Sequence, residues 1–256
     1  MSQWNPDQYL KFADLRFRPG LDLLARIAVD NPATVYDLGC GTGGLTPALA
    51  GRWPEARIIG VDSSAEMLET ARAGHPDFDW ISANAADWHP DSPADVIYSN
   101  ACLQWLDGHE TLFPKLAGFV RPGGALAIQM PRNYSSPSHV CMREAATASP
   151  LAETLVPVLR AEPVAPPETY YDILRPHCRE LDIWETVYMQ VLEGDNPVAE
   201  WTRGTALKPL LDAIDDESER EAFFGAYSKL TQKAYPKRAD GKTLFPFRRL
   251  FMVAQV

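Results

Sequence analysis

Between Val35 and Gly44 the chain reads VYDLGCGTGG, and no other stretch restricts its folding as much. Val35, Tyr36 and Leu38 make a short apolar run of the kind that fills a buried strand. Gly39, Gly41, Gly43 and Gly44 follow within six positions, and Leu45, Ala48 and Leu49 then recur at helical spacing. Strand, glycine turn, helix is the first unit of a nucleotide-binding α/β sheet. Its turn lets a ligand lie against bare backbone, with the N–H groups of the helix start facing it. An acid sits inside the motif: Asp37 precedes the first glycine by two residues. Its charge repels a pyrophosphate and attracts an ammonium or sulfonium group.

A second acid follows on schedule. Arg57-Ile58-Ile59-Gly60-Val61-Asp62 is another apolar run, and it ends in a carboxylate about twenty residues past the glycines. A strand-end acid there can take both hydroxyls of a ribose. With Asp37 and Asp62 around DLGCGTGG, the chain resembles the S-adenosylmethionine-dependent methyltransferases of the Rossmann-like class. That resemblance implies an α/β fold, a seven-stranded sheet with helices on both faces. It also implies S-adenosyl-L-methionine as cofactor and S-adenosyl-L-homocysteine as product. Asp37 with Gly39, Gly41 and Gly43 would hold the methionine end, and Asp62 with Ser63 the ribose. Gly39, Gly41 and Gly44 also satisfy G-x-G-x-x-G, so the glycines alone admit an NAD-dependent oxidoreductase, or a turn without a ligand.

The totals narrow the field. A chain of 256 residues, 46% of them hydrophobic, can bury the core of one large domain. Its net charge of −10 repels RNA and DNA at long range, and no Lys/Arg stripe offsets this. Cys40, Cys102, Cys141 and Cys178 are scattered without a C-x-x-C pair, which argues for reduced thiols and against a zinc site. No apolar stretch approaches the ~20 residues of a membrane span, and the first residues carry no secretory pattern. The expectation is a cytoplasmic enzyme acting on a small molecule, with no nucleic-acid, membrane or protein partner and no metal.

Taken in order, residues 1–30 form a lead-in that, in such methyltransferases, often folds over the cofactor mouth. Asn5-Pro6 opens a short helical stretch, and Arg16 and Arg18 flank a turn before a helix with Leu21, Leu24, Ile27 and Ala28 on one face. Both arginines are candidate carboxylate ligands. After the second strand, Ser63-x-x-Glu66 reads as a capping box, opening a helix with Met67, Leu68 and Ala71 inward. A third strand (78–82) leads to Asn84 and Ala85, which the resemblance matches to the adenine site, with Asp87 as competitor. The fourth strand, Asp95 to Asn100, ends in the crevice where ligands of open α/β sheets sit. Ser99 and Asn100 should approach the methionine part, while Gln104 and Trp105 face the acceptor.

Arg121-Pro122-Gly123-Gly124 reads as a tight turn before a fifth strand over 125–130, and Arg132 follows at its rim. Insertions over about 135–167 and 196–238 read as a helical cap, separated by a last crossover helix (168–174) and a β-type run (181–192). In that run Ile183, Val187, Met189 and Val191 share a face. Asn196-Pro197 starts a helix interrupted around Arg203, and Ser218-x-x-Glu221 caps another. Thr243 to Val256 makes a terminal strand carrying Arg248, closing the sheet with an antiparallel hairpin.

The flanking segments WNPDQYLKFADLRFRPGLDLLARI, WTRGTALKPLLDAI and ADGKTLFPFRRLFMVAQV are similar to those of methyltransferases that esterify a small polycarboxylate. The resemblance implies an acceptor that is already ionised at neutral pH, far above its pKa near ~4. Methyl transfer to it needs no general base, so no catalytic residue of that kind is expected and His109, His139 and His177 receive no proton-transfer role. Alignment and removal of water must supply the rate, and orientation alone can supply ~7–11 kcal/mol. A polyanion on a chain of net −10 requires local arginines, whose forks bind carboxylates in two places. Arg132 and Arg203 rank first for this, and Arg16, Arg18 and Arg248 second. The cap is expected to shut over both ligands. Another small-molecule methyltransferase, with a dicarboxylate or quinone acceptor, shares the core but not the flanks.

Overall fold

The apolar runs and helical stripes alternate along the sequence, and so do the strands and helices of the fold. This is a computed structural model, and it describes residues 17–256. The expectations for Asn5, Pro6 and Arg16, and most of the lead-in, lie outside these residues. Helix α1 (Arg18–Ala25) has Pro19 in its first turn, where the missing N–H costs nothing, and buries Leu21, Leu23 and Leu24. There follow β1 (Thr34–Leu38), α2 (Thr46–Arg52), β2 (Arg57–Asp62), α3 (Ala65–Gly74), β3 (Asp79–Ser82) and β4 (Ala94–Asn100). A 3₁₀ turn, Leu103–Trp105, precedes α4 (His109–Gly118) and β5 (Val120–Pro131). Next come α5 (Pro137–Ala148), α6 (Ala152–Leu155), α7 (Pro167–Leu174) and β6 (Glu180–Leu192). The chain ends with α8 (Pro197–Arg203), α9 (Lys208–Asp212), α10 (Glu217–Ala234) and β7 (Thr243–Gln255).

The sheet has seven strands in the order β3-β2-β1-β4-β5-β7-β6. Strands β1 to β5 pair in parallel, and β7 runs antiparallel to β5, from Ala125↔Gln255 to Pro131↔Arg249. The order reverses between β1 and β4, so a crevice opens outside their carboxyl ends. One face of the sheet is dry. Tyr36, Leu38, Ile97, Leu126, Ile128, Leu250 and Met252 join Phe113 and Leu116 of α4 and Tyr170 of α7 in one core. Burial of this size, at roughly 25 cal/mol per Å² of apolar surface, fixes the strands on which the site is mounted.

The described chain packs as two units. One takes the chain to Pro131 together with Val164–Thr186 and Arg249–Val256; the other is Arg132–Pro163 with Val187–Arg248. In the second unit, Cys141, Met142 and Ala145 of α5 pack with Phe223 and Tyr227 of α10. The Thr202 and Tyr227 hydroxyls meet at 2.8 Å inside it. Among the described residues no helix is long and apolar enough to cross a membrane.

Several local expectations are corrected. Helix α3 is capped by Ser64, not Ser63: the Ser64 hydroxyl accepts the Met67 N–H at 3.3 Å. Likewise Asp216, not Ser218, caps α10, its carboxylate accepting the Glu219 N–H at 2.9 Å. An acidic cap, two residues earlier, also complements the helix dipole. Met67 is exposed rather than inward, while Leu68 and Ala71 are buried. On β6 the apolar Val187, Met189 and Val191 do share a face, and it is the exposed one, while Tyr188 and Gln190 are buried. Arg121–Gly124 is drawn into β5, whose register with β4 shifts between Ala94 and Val96.

Candidate functional site

Asp37 ends up inside the sheet. It stands in register with Gly60 of β2 and Tyr98 of β4, almost wholly buried, and one of its oxygens accepts the Thr46 hydroxyl at 2.8 Å. Burial pushes its carboxyl up to about 7; the Thr46 bond pulls the other way, and the nearby negative charge of Asp62 adds to the rise.

The glycine loop between them is tied internally. Gly39 and Cys40 donate their N–H groups to the Val61 carbonyl at 2.7 and 3.1 Å, and Gly43 donates to the Cys40 carbonyl at 2.9 Å. Gly41 donates to one Asp62 oxygen at 2.9 Å, while Ser64 donates to the other at 2.9 Å. The Gly39, Cys40 and Gly41 amides thus close the loop on β2. Each Asp62 oxygen retains a lone pair for a further donor. Gly39 is required here on two counts. Its φ is +80°, and a Cβ would come within 2.2 Å of the Cys102 side chain.

A cavity of about 410 Å³ opens beside this loop. It is lined by Gly39, Gly41, Asp62, Ser63, Asn84 and Ala85 of the expected cofactor set, and by Trp105 of the expected acceptor set. Asp37, Gly43 and Asn100 do not line it. Gly43 instead lies under the Trp80 ring, where a Cβ would meet that ring at 2.5 Å. Asn84 uses its side-chain oxygen to accept the Ala86 N–H at 3.0 Å, which leaves its amide N–H₂ as donor at the wall; Asp87 is not part of the wall. Met67, Ala101, Cys102 and Leu106, none of them assigned to the site from the sequence, also line it. Only Ala101 carries a backbone signature, φ +54°, a strained value of the kind that gathers at ligand sites.

Trp105 is half exposed at the cavity, whereas Gln104 turns inward and donates to the Ala101 carbonyl at 2.7 Å. Gln104 thus braces the strained turn, a correction to its expected place facing an acceptor. Burial pushes the Cys102 thiol up to about 12, so it stays protonated and is no nucleophile. His109 is held between the Tyr170 hydroxyl (2.8 Å) and the Leu103 carbonyl (2.9 Å), and burial lowers His139 to about 4. Neither lines the cavity.

The candidate cations lie on several elements of the two units. Arg18 is exposed on α1. Arg132 is half-buried, and its backbone N–H donates to the Arg248 carbonyl at 3.0 Å. Arg203 pairs with Glu221 and lies over the Phe224 ring at 4.3 Å. Arg248 is exposed, while its neighbour Arg249 is buried and reaches the Gln129 side-chain oxygen at 3.3 Å. Alternation along a strand turns one arginine out and the next in, and the sequence does not say which.

The cavity fits an uncharged or cationic nucleoside better than a diphosphate. Among the described residues its wall contains a carboxylate, an amide and an aromatic ring, and neither lysine nor arginine. A family profile described as "Methyltransferase domain" matches residues 35–124. The chain is 51% identical over 254 residues, 99% of both chains, to a trans-aconitate 2-methyltransferase of Azoarcus sp. (strain BH72). Among solved structures it is similar to a methyltransferase of Bacillus halodurans C-125 (TM-score 0.56, 14% identity, 93% of this chain and 98% of that one). It is also similar to Haemonchus contortus phosphoethanolamine N-methyltransferase 2 in complex with S-adenosylhomocysteine (TM-score 0.55, 17% identity). That match covers 93% of this chain and about half, 52%, of the other.

Proposed function

The chain belongs to the family of trans-aconitate 2-methyltransferases, and on that premise we propose that it transfers a methyl group from S-adenosyl-L-methionine to one carboxylate of trans-aconitate. The observation that carries this reading is the cavity wall. Asp62 is locked by the Gly41 and Ser64 N–H groups, and among the described residues no basic side chain lines the wall. Such a wall suits a ribose and a positively charged sulfur donor, and disfavours a dinucleotide diphosphate.

In this reading Asp62 takes the ribose hydroxyls on its remaining lone pairs, with Ser63 beside it. Asn84 and the Ala85 backbone take the adenine edge, and the exposed ring of Trp105 closes the open side. Asp37, below the loop with Gly39, Gly41 and Gly43, supplies the negative field for the methionine end, next to Asn100. Held there, the cofactor would supply an electrophilic methyl group on a sulfonium sulfur, to be taken by a carboxylate oxygen with the neutral thioether as leaving group.

No proton moves in that step, so no side chain has to serve as a base. The chain's own contribution is to orient the acceptor and exclude water. Arg132 is the first cation assigned to an acceptor carboxylate. Arg203 is a second, on condition that it leaves Glu221, and Arg18, Arg16 and Arg248 rank below them. The helical insertions are proposed as the cap, and the cytoplasm as the compartment.

Methyl transfer from labelled cofactor to a panel of di- and tricarboxylic acids tests the activity. The expected product is a monomethyl ester of trans-aconitate. Failure to esterify any of the acids, together with thermal stabilisation by NAD and none by S-adenosylhomocysteine, would overturn the reading.

A further inference from the structure

Three polar side chains form a row across the carboxyl-end side of the sheet. Asn100 of β4 stands in register with Gln129 of β5, Gln129 with Phe251 of β7, and Arg249 lies two residues before Phe251. Residues in register, or two apart on one strand, share a face, so Asn100, Gln129 and Arg249 all project from the same side. It is the side on which the Tyr98 hydroxyl reaches the Gly20 carbonyl of α1, opposite the dry core of Ile128, Met130, Leu250 and Met252.

The row is buried and its hydrogen bonding is incomplete. Gln129 is fully buried; its oxygen accepts from Arg249 at 3.3 Å, and its Nε2 has no partner among the described residues. The Asn100 side-chain oxygen is buried and likewise has none. An orphaned donor and an orphaned acceptor thus stand on adjacent strands, in register, without bonding to each other. Each such group costs roughly the desolvation of a polar atom, and buried polar atoms left open call for a partner.

The place is as informative as the chemistry. Asn100 is followed directly by Ala101 and Cys102 of the cofactor cavity, and the Ala101 N–H donates to the Gln129 carbonyl at 2.9 Å. The row therefore leads from the edge of that cavity outward over β5 to β7. The open acceptor, Asn100, is on the cofactor side, and the donors, Gln129 and Arg249, are one and two strands further out. The Phe251 ring, stacked on Trp184 at a centroid distance of 4.8 Å, adds an apolar plane on this face.

We infer that Gln129 and Arg249 form the subsite that takes one carboxylate of the acceptor, the two oxygens receiving the amide N–H and the guanidinium N–H. This rests on the proposed carboxyl-methylating activity and deepens it. It moves carboxylate recognition from Arg248 to its inward-facing neighbour and adds a glutamine that no charge-based reading selects. The bound carboxylate is held as a spectator and is not the one that receives the methyl, because both its oxygens are occupied by donors.

The test uses the full-length protein and the variants Gln129→Met, Gln129→Glu and Arg249→Lys. Steady-state kinetics with trans-aconitate are paired with calorimetric binding of S-adenosylhomocysteine and a melting curve. Gln129→Met keeps the shape and removes the donor; it should raise KM for trans-aconitate roughly tenfold or more, with kcat within a few-fold and S-adenosylhomocysteine affinity unchanged. Gln129→Glu, which offers Arg249 an internal carboxylate, should raise KM further, whereas a purely structural tie between β5 and β7 would be kept or strengthened by it. Arg249→Lys should lose much of the discrimination between trans-aconitate and a dicarboxylate. Unchanged KM in folded Gln129→Met, or KM and S-adenosylhomocysteine affinity worsening together, overturns the inference while the activity stands. A wild-type protein that esterifies no polycarboxylate overturns the activity, and this subsite with it.

Discussion

The Thr46 hydroxyl donates to the buried carboxylate of Asp37 at 2.8 Å, joining the first turn of α2 to the strand beneath the glycine loop. That bond lowers the carboxyl pKa against the larger upward push of burial, and the group settles at about 7 instead of 3.8. In the proposed role at the methionine end, a carboxylate held near the neutral point would make cofactor capture sensitive to pH.

Between about pH 4 and 7 the folded protein carries a proton on Asp37 that the unfolded chain has released. This contribution to stability is therefore greatest at low pH and declines as pH rises towards 7. A cationic ligand prefers the ionised form, so S-adenosylmethionine affinity should rise by up to about tenfold per pH unit below 7 and flatten above it. Calorimetry from pH 5.5 to 8.5 checks this. A level profile for the wild type, or the same slope in Asp37→Asn, would remove Asp37 from the binding site. At saturating cofactor kcat should lack a bell shape, because the acceptor needs no base.

Thr46→Val removes the one hydrogen bond that favours ionised Asp37. Hydrogen bonds to charged groups contribute about 1.5–3 kcal/mol, equivalent to roughly one to two pKa units. The midpoint of the affinity profile should move to higher pH by that amount. An unmoved midpoint would show that the Thr46 bond does not set the titration.

Asp62→Ala leaves the Gly41 and Ser64 N–H groups without their acceptor and takes the carboxylate from the cavity wall. S-adenosylhomocysteine affinity should fall at least tenfold while circular dichroism keeps its folded signature. Asp62→Asn should fall between, since its amide can accept only one of the two N–H bonds. Equal affinity in all three proteins would contradict the ribose assignment.

Asn84→Ala should weaken cofactor binding several-fold, and Asn84→Asp, which still accepts the Ala86 N–H, should bind closer to wild type. Asp87→Ala, off the cavity wall, should leave affinity unchanged. The reverse pattern would give the adenine contact to Asp87.

Gly39→Ala should destabilise the fold by about 1–3 kcal/mol through its left-handed backbone and its collision with Cys102. Pairing it with Cys102→Gly removes the collision but not the backbone strain, so melting temperature should recover only in part. Additive losses would mean the contact is not the cause.

Much of this protein is local and was readable along the chain. The runs at Val35–Leu38, Arg57–Asp62 and Ala94–Asn100 became neighbouring parallel strands because apolar continuity and glycine punctuation are properties of a few adjacent residues. Asp37 and Asp62 were legible for the same reason, as acids at set distances from the glycines. What required the tertiary structure is everything decided by which way a side chain turns. Arg249 rather than Arg248 is buried because pairing with β5 sets the pleat of β7. Gln104 folds back on Ala101, Met67 lines the cavity, and Ser64 rather than its neighbour Ser63 caps α3, details that periodicity does not resolve. Spacing along a chain determines which strands and loops exist; only the pairing of distant strands determines which of two adjacent residues faces the ligand.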